Sequence, residues 1–573
     1  MPLLRTLLIF LLDLLRVPFL PFLVVRRGLA RRSVRWVELD LEGTVYFFSP
    51  RQSFLRRFLR ARHRAPFVTV RGVGRAIDAA LELPHVHGFV VKLRRLRGGW
   101  AAIDALRDDL LRIAAAGKEL VVHLPEGGTL RELYLASAGT RILLAPEGTL
   151  SLGGLSVQSR YVKQALDRLG VELEVHRRAE YKSALESVSA DAMSEENRRQ
   201  LTEMLEAFYG AVLEAIARAR GARPEDVRAI LDRPFVRPDQ LVAAGLADGL
   251  AYEDELAGVL EPGERTRTTP LGRAARIGRA RLFLPLRRPP TFALIRVEGT
   301  IVDGDGGRAW FPTLRDEIRR ARADRQIAGV LLFVDSPGGS AQASDLLHRE
   351  IVRLREKKPV VAYFANVAAS GGYYIGVGAP EIVAGPLTIT GSIGVIAARV
   401  AAASLFEKLG VKTEVVQTSP HADLFGPHRH ATPDEHAMFE DFVEAHYAAF
   451  VCKVAEGRGR TPEEVEPLAR GRVYTGAAAH ALGLVDALGG LEVALDRLAA
   501  RAWLSPRARR ELELVHLGRG RAPVPEPPRE VVEAARLLGL DLVLDLLNLA
   551  HMGGSVLYYA PGLPFEAQSK ESW

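Results

Sequence analysis

Three short stretches of this sequence hold residue types that could do chemistry. In "VAYFANVAASGGYYIG" (361–376) an apolar run ends in Ala-Ala-Ser-Gly-Gly, and an apolar helix-like stretch follows. Ser370 there has two readings. One is a helix N-cap that satisfies an orphan amide. The other is a nucleophile on a tight strand-to-helix turn, backed by amides that could hold an oxyanion. "DSPGGSAQASD" (335–345) is a second glycine turn after a strand-like run. It is either a plain connection or a place where the amides of Gly338 and Gly339 meet that of Gly371. "EYKSALE" (180–186) puts Lys182 just after a strand. A lysine can take a serine proton only if burial or nearby positive charge lowers its pKa toward neutrality. Arginine cannot do so. The chain has ten lysines among 77 Lys and Arg residues, so a lysine at this spot favours a role closed to arginine. The plain alternative is an exposed lysine paired with Glu186. His421, His428 and His430 cluster in a Pro-rich polar loop and suggest a solvated surface rather than a triad.

The elements that must position these residues occur twice. "GKELVVHLPEGGTLRELYLASAGTRILLAP" (117–146) matches "KKPVVAYFANVAASGGYYIGVGAPEIVAGP" (357–386) without a gap, at a constant shift of 240 (382 − 142). The register continues from "LDRLGVELEV" (166–175) onto "FEKLGVKTEV" (406–415). "LEGTV" (41–45) echoes "VEGTI" (297–301), and "VAAGLADGL" (242–250) echoes "AHALGLVDAL" (479–488). Strand-like "FALIRVEGTI", helix-like "TLRDEIRRARA" and strand-like "AGVLLFVDS" give a β-α-β rhythm, hence parallel strands joined by crossovers. Sites in open parallel sheets gather at strand ends. Under the shift, Ser370 falls on Leu130, Gly371 and Gly372 on Arg131 and Glu132, and Lys182 on Ala422. One copy keeps a serine without the lysine and the other a lysine without the serine. These complementary losses suggest one site built from both copies, with the lysine buried where the halves meet.

At 573 residues, 48% hydrophobic and 25% charged, the chain is a globular protein of two or three domains. A single cysteine, Cys452, excludes an internal disulfide framework and a cysteine-based metal cluster. The net charge of +8 is spread out rather than gathered in a basic, aromatic-laced patch, which argues against nucleic acid. No cofactor or metal site is indicated. Residues 2–25 are strongly apolar but broken by Arg5, Asp13, Arg16, Pro18 and Pro21, and Arg26, Arg27, Arg31 and Arg32 follow. This pattern suggests an uncleaved anchor or an interfacial helix at a membrane. "VVEAARLLGLDLVLDLLNLAHM" (531–552), after the Pro-rich "RGRAPVPEPPRE", suggests a helix that docks on a surface, because Asp541 and Asp545 interrupt it.

"NVAASGGYYIG", "DSPGGSAQASD", "LTITGSIGV", "EYKSALE" and "GRVYTGAAAHALGLVDALGG" together resemble the two-copy, long form of the signal peptide peptidase A family (peptidase family S49), in the Clp-protease/crotonase superfamily. The resemblance spans about residues 36–500. It implies an α/β fold of two tandem crotonase/Clp-protease-like β-α-β repeats: 33–265 supplying the lysine and 266–505 the serine, with 1–32 as membrane segment and 506–573 as tail. It also implies a serine endopeptidase with Ser370 as nucleophile and Lys182 as general base. Gly338, Gly339 and Gly371 would be oxyanion donors, and Ser392 of "TGSIGV" would hydrogen-bond the lysine. The expected substrates are cleaved signal peptides and other extended apolar peptides. The expected assembly is a homotetramer at the bacterial inner (cytoplasmic) membrane, with its catalytic part in the periplasm. A crotonase-type acyl-CoA enzyme shares the fold but uses acidic catalytic residues, so the two motifs weigh against it. A catalytically silent membrane scaffold is disfavoured by the presence of both dyad members.

Overall fold

The computed structural model describes residues 9–10, 13–50, 66–261, 267–280, 282–283, 289–303, 309–517 and 557–559. Part of the apolar N-terminus, the Pro-rich linker and the helix-like stretch 531–552 lie outside them. Two compact units form. Described residues up to Ser156 join Ala207–Pro289 in one, and Val157–Glu206 joins those from Pro290 onward in the other.

The first unit is built on a parallel sheet in the order Gly249–Leu250, Arg141–Leu144, Glu119–Leu124, Gly88–Arg97, Trp36–Tyr46, Thr268–Pro270. The second unit repeats that order with Ala487–Leu488, Ile382–Ala384, Val360–Ala369, Ile327–Ser336, Thr291–Glu298 and Glu513–His516, again all parallel. The sequence repeat is therefore a repeat of fold: two tandem Clp-protease-like α/β units. Strands buried on both faces read as continuous apolar runs, as Val360–Phe364 does, every residue fully buried.

The second unit also incorporates a piece of the first copy. Glu172–Arg178 pairs antiparallel with Val395–Ala401, Val395 opposite Arg178. Buried Arg399 meets buried Glu174 across this pair at 2.7 Å, and Leu173, Leu185, Val188 and Ile396 form a small apolar cluster under it. The lysine segment is thus an element of the serine's own unit.

Candidate active site

The Val360–Ala369 strand delivers Ser370. Its register against Ile327–Ser336 slips between Val334 and Ser336, where the extra residues of Val360–Ala369 bulge. Asp335 holds this bulge, accepting from Val367 N and Asn366 Nδ2 at 3.1 Å each. Burial pushes the Asp335 carboxyl up to about 6 against the pull of the Val367 amide. The strand then turns sharply into the helix Gly371–Gly376. Ser370 adopts φ 53°, ψ −118° and makes no side-chain cap bond. Such backbone is strained for a non-glycine residue and persists only where its surroundings impose it. The N-cap reading fails here because the hydroxyl points elsewhere.

It points at Lys182. Lys182 Nζ lies 2.8 Å from Ser370 Oγ, 3.0 Å from Ser392 O and 3.0 Å from Ser392 Oγ. Lys182 follows the Glu172–Arg178 strand on a turn whose Tyr181 amide donates to Arg470 O. Glycine backbone closes over it. A Cβ on Gly471 would come within 2.8 Å of the Lys182 backbone, and one on Gly394 within 3.1 Å of its Cδ. Burial pushes the Lys182 ammonium well below the ordinary lysine value. The surface-pairing alternative fails, since Glu186 is engaged by Asn197 Nδ2 and Ser194 N.

The glycine turns converge at the same place. A Cβ on Gly371 would lie 3.3 Å from Gly338 Cα and 3.3 Å from Gly339 N. Gly338 and Gly339 have φ of 106° and 150°, open only to glycine. The Gly338 amide donates to Ser336 Oγ at 3.1 Å. Beside Ser340, a cavity of about 780 Å³ is lined by Leu346, Leu424, Phe425, Met438 and Phe442 among others. Among the described residues no group of three or more His, Cys, Asp or Glu is gathered to hold a metal.

Sequence reasoning named Ser370, Lys182, Ser392 and the three glycines, and the structure brings all six together. It missed Asp335, Gly394 and Gly471, whose sole signal was their place within "VDSPGG", "GSIGV" and "ARGRVYTG". The histidines are not bare surface groups: His421 pairs with Glu435, His428 with Asp423 and His430 with Glu174. In the first copy the matching turn is an ordinary helix start. Thr129 caps Leu130–Ala136 in a capping box with Glu132, and buried Leu130 stands where the second copy has its serine.

The model for peptidase family S49 matches residues 114–266 and 352–505, more than half of the chain. "Serine protease SPPA, chloroplastic" of Arabidopsis thaliana is 32% identical over 503 residues, covering 85% of this chain and 73% of that protein. "Protease 4" of Salmonella typhi is 32% identical over 442 residues, covering 75% and 71%. "Protease 4" of Haemophilus influenzae is 30% identical over 448 residues, covering 74% and 71%. With the same sheet built twice and a family match in each copy, the chain belongs to peptidase family S49.

Proposed function

We propose that this peptidase is a serine endopeptidase working through a Ser370–Lys182 dyad. The observation that carries the reading is a fully buried amine 2.8 Å from a serine hydroxyl on a strained turn. A neutral lysine has one lone pair and two N–H donors, which suits one incoming hydroxyl proton and the two Ser392 oxygens. In the reaction the Ser370 proton passes to Lys182 Nζ as Oγ attacks the scissile carbonyl. The resulting ammonium then gives that proton to the leaving amine. Water hydrolyses the acyl-enzyme by the same route, with Lys182 as base again. The oxyanion would be met by the amides of Gly339 and Gly371, and by that of Gly338 once it exchanges Ser336 Oγ for substrate oxygen.

Substrates are extended apolar peptides, including signal peptides left after preprotein cleavage; the apolar cavity beside Ser340 supports this. We place the enzyme at the bacterial inner membrane with its site on the periplasmic side. Among the described residues no helix is long and apolar enough to cross a membrane. The Leu20–Arg32 helix exposes Phe22, Val25 and Leu29 and carries Arg26, Arg27, Arg31 and Arg32, which suits an interfacial helix on anionic lipid.

The repeat supports a route to the homotetramer. Under the shift of 240, the paired strands Val395–Ala401 and Glu172–Arg178 correspond to 155–161 and 412–418. Neither stretch forms a strand, and 411–420 is exposed throughout, Val416 completely. Residues 412–418 of one copy would pair with 155–161 of the next, Val416 opposite Val157. Such a head-to-tail contact, repeated about a four-fold axis, would close into a ring.

Labelling with a serine-reactive fluorophosphonate tests the dyad. The natural chain should label and hydrolyse apolar peptides, and Ser370→Ala should do neither while staying folded. Substantial turnover by Ser370→Ala would refute the assignment.

A further inference from the structure

The glycine strand belongs to a six-stranded sheet ordered Ala309–Trp310, Ile301–Val302, Gly338–Ser340, Leu557–Tyr559, Val395–Ala401, Glu172–Arg178. Its fourth member comes from far along the chain. Leu557–Tyr559 runs antiparallel to Gly338–Ser340, with Gly338 opposite Tyr559, Gly339 opposite Tyr558 and Ser340 opposite Leu557. On its other side Leu557 pairs with Ile396. Without this strand the sheet falls into two parts whose facing edges are the glycine turn and the strand that follows Ser392. Both edges flank the dyad. The gap between them is one strand wide and exposes unpaired backbone groups, so an extended peptide fills it by adding a strand.

We infer that Leu557–Tyr559 is a tethered occupant of the peptide-binding cleft, competing with incoming peptides for the edge of Gly338–Ser340. This inference rests on the peptidase reading for the identity of the competing ligand. Three features support it. The pairing reaches both glycines of the turn beside Ser370. The surrounding sequence "GGSVLYYAPGLP" (553–564) is uncharged, as an apolar cleft requires, and Pro561 lacks the N–H needed to prolong a strand. Finally, the strand is part of the same chain as its site, and covalent attachment of this kind gives an effective concentration up to the order of millimolar, enough for a short, weakly binding strand to be bound much of the time. Larger or tighter-binding peptides would displace it.

The test compares the natural chain with the double variant Leu557→Pro/Tyr558→Pro. The two prolines remove a backbone donor at both ladder parities and leave the dyad untouched. A tethered competitor raises apparent KM without changing kcat. The double variant should therefore hydrolyse a fluorogenic apolar peptide with KM lowered about fivefold or more and kcat unchanged. Synthetic 553–564 peptide should restore the higher KM competitively. Equal KM in both forms would overturn the inference. A second readout separates it from the peptidase reading: fluorescein-labelled 553–564 peptide binding to Ser370→Ala chains with and without the prolines. If no form hydrolyses peptides yet the proline form binds this probe more tightly, the peptidase reading falls and the tethered strand stands. Equal binding to both forms would overturn the strand.

Discussion

Replacing Lys182 by methionine should move activity and stability in opposite directions. Methionine nearly matches the stem in length and volume, so the packing of Gly394 and Gly471 against it survives. Hydrolysis loses its base, and loss of a positioned base alone lowers rates by about 10²–10⁴-fold. Lys182→Arg should do as badly, because guanidinium stays protonated and cannot accept the serine proton. The stability effect follows from burial. In the unfolded chain the amine is protonated below about 10.4. In the fold burial lowers its affinity for a proton, so the unfolded state binds more protons between the two pKa values. Stability of the natural chain therefore rises with pH through that window and is lowest below it. Each unit by which burial lowers the lysine's pKa costs about 1.4 kcal/mol of stability at pH values below that window. Methionine removes this cost but leaves the Ser370 and Ser392 hydroxyls without their partner, at about 1 kcal/mol each. The net expectation is a variant whose stability relative to the natural chain is greatest at low pH and shrinks as pH rises toward about 10. Urea denaturation from pH 6 to 10 beside a peptide-hydrolysis assay measures both. Denaturation curves that differ by a constant across that range would show an ordinary lysine and refute the argument, and near-normal hydrolysis by Lys182→Arg would reduce the residue to a fixed charge.

Ser392→Ala removes one acceptor and leaves a buried N–H unpaired, about 1.5–3 kcal/mol of misplaced base, so kcat should fall about 10- to 100-fold; an unchanged kcat would mean that Ser392 O alone orients the amine. Asp335→Asn bears on a carboxyl raised to about 6. Since the folded state then binds more protons than the unfolded state between about pH 4 and 6, the natural chain should lose stability as pH rises through that window, while the variant's denaturation midpoint stays flat; parallel slopes would discount Asp335. Val416→Asp places a charge at the centre of the proposed head-to-tail pairing, and sedimentation should show the assembly falling to single chains; an unchanged assembly would refute that register.

How far the site was legible in the sequence depended on whether its signals were local. The serine turn, the Pro-Gly-Gly turn and the duplicated sheet are carried by contiguous residues, and the same strand order appears twice. Lys182 was found by subtraction, because a repeat shows what each copy lacks. Its surroundings were not. The reading from sequence buried the lysine where two halves meet, whereas the structure threads Val157–Glu206 into the serine's own unit. No periodicity in "VELEVHRR" announces that its partner is Val395–Ala401, more than two hundred residues away, because strand pairing is decided by whichever edges remain open. The three-residue Leu557–Tyr559 strand was hidden for the same reason.

The two copies also show how the proposed catalytic turn departs from an ordinary one. In the first, Glu132 accepts from the amides of Thr129 and Leu96 at 2.7 Å each, and Thr129 caps the helix in the ordinary way. A carboxylate fills the place at the helix start, the backbone relaxes, and a buried leucine follows. In the second, Gly372 stands where the glutamate would be, so no carboxylate fills the helix start, Ser336 Oγ takes only the Gly338 amide, and Ser370 holds a positive-φ backbone that gains nothing from capping. That strain makes little sense for stability alone. It fits the proposed chemistry, in which a hydroxyl aimed at a buried amine attacks a carbonyl.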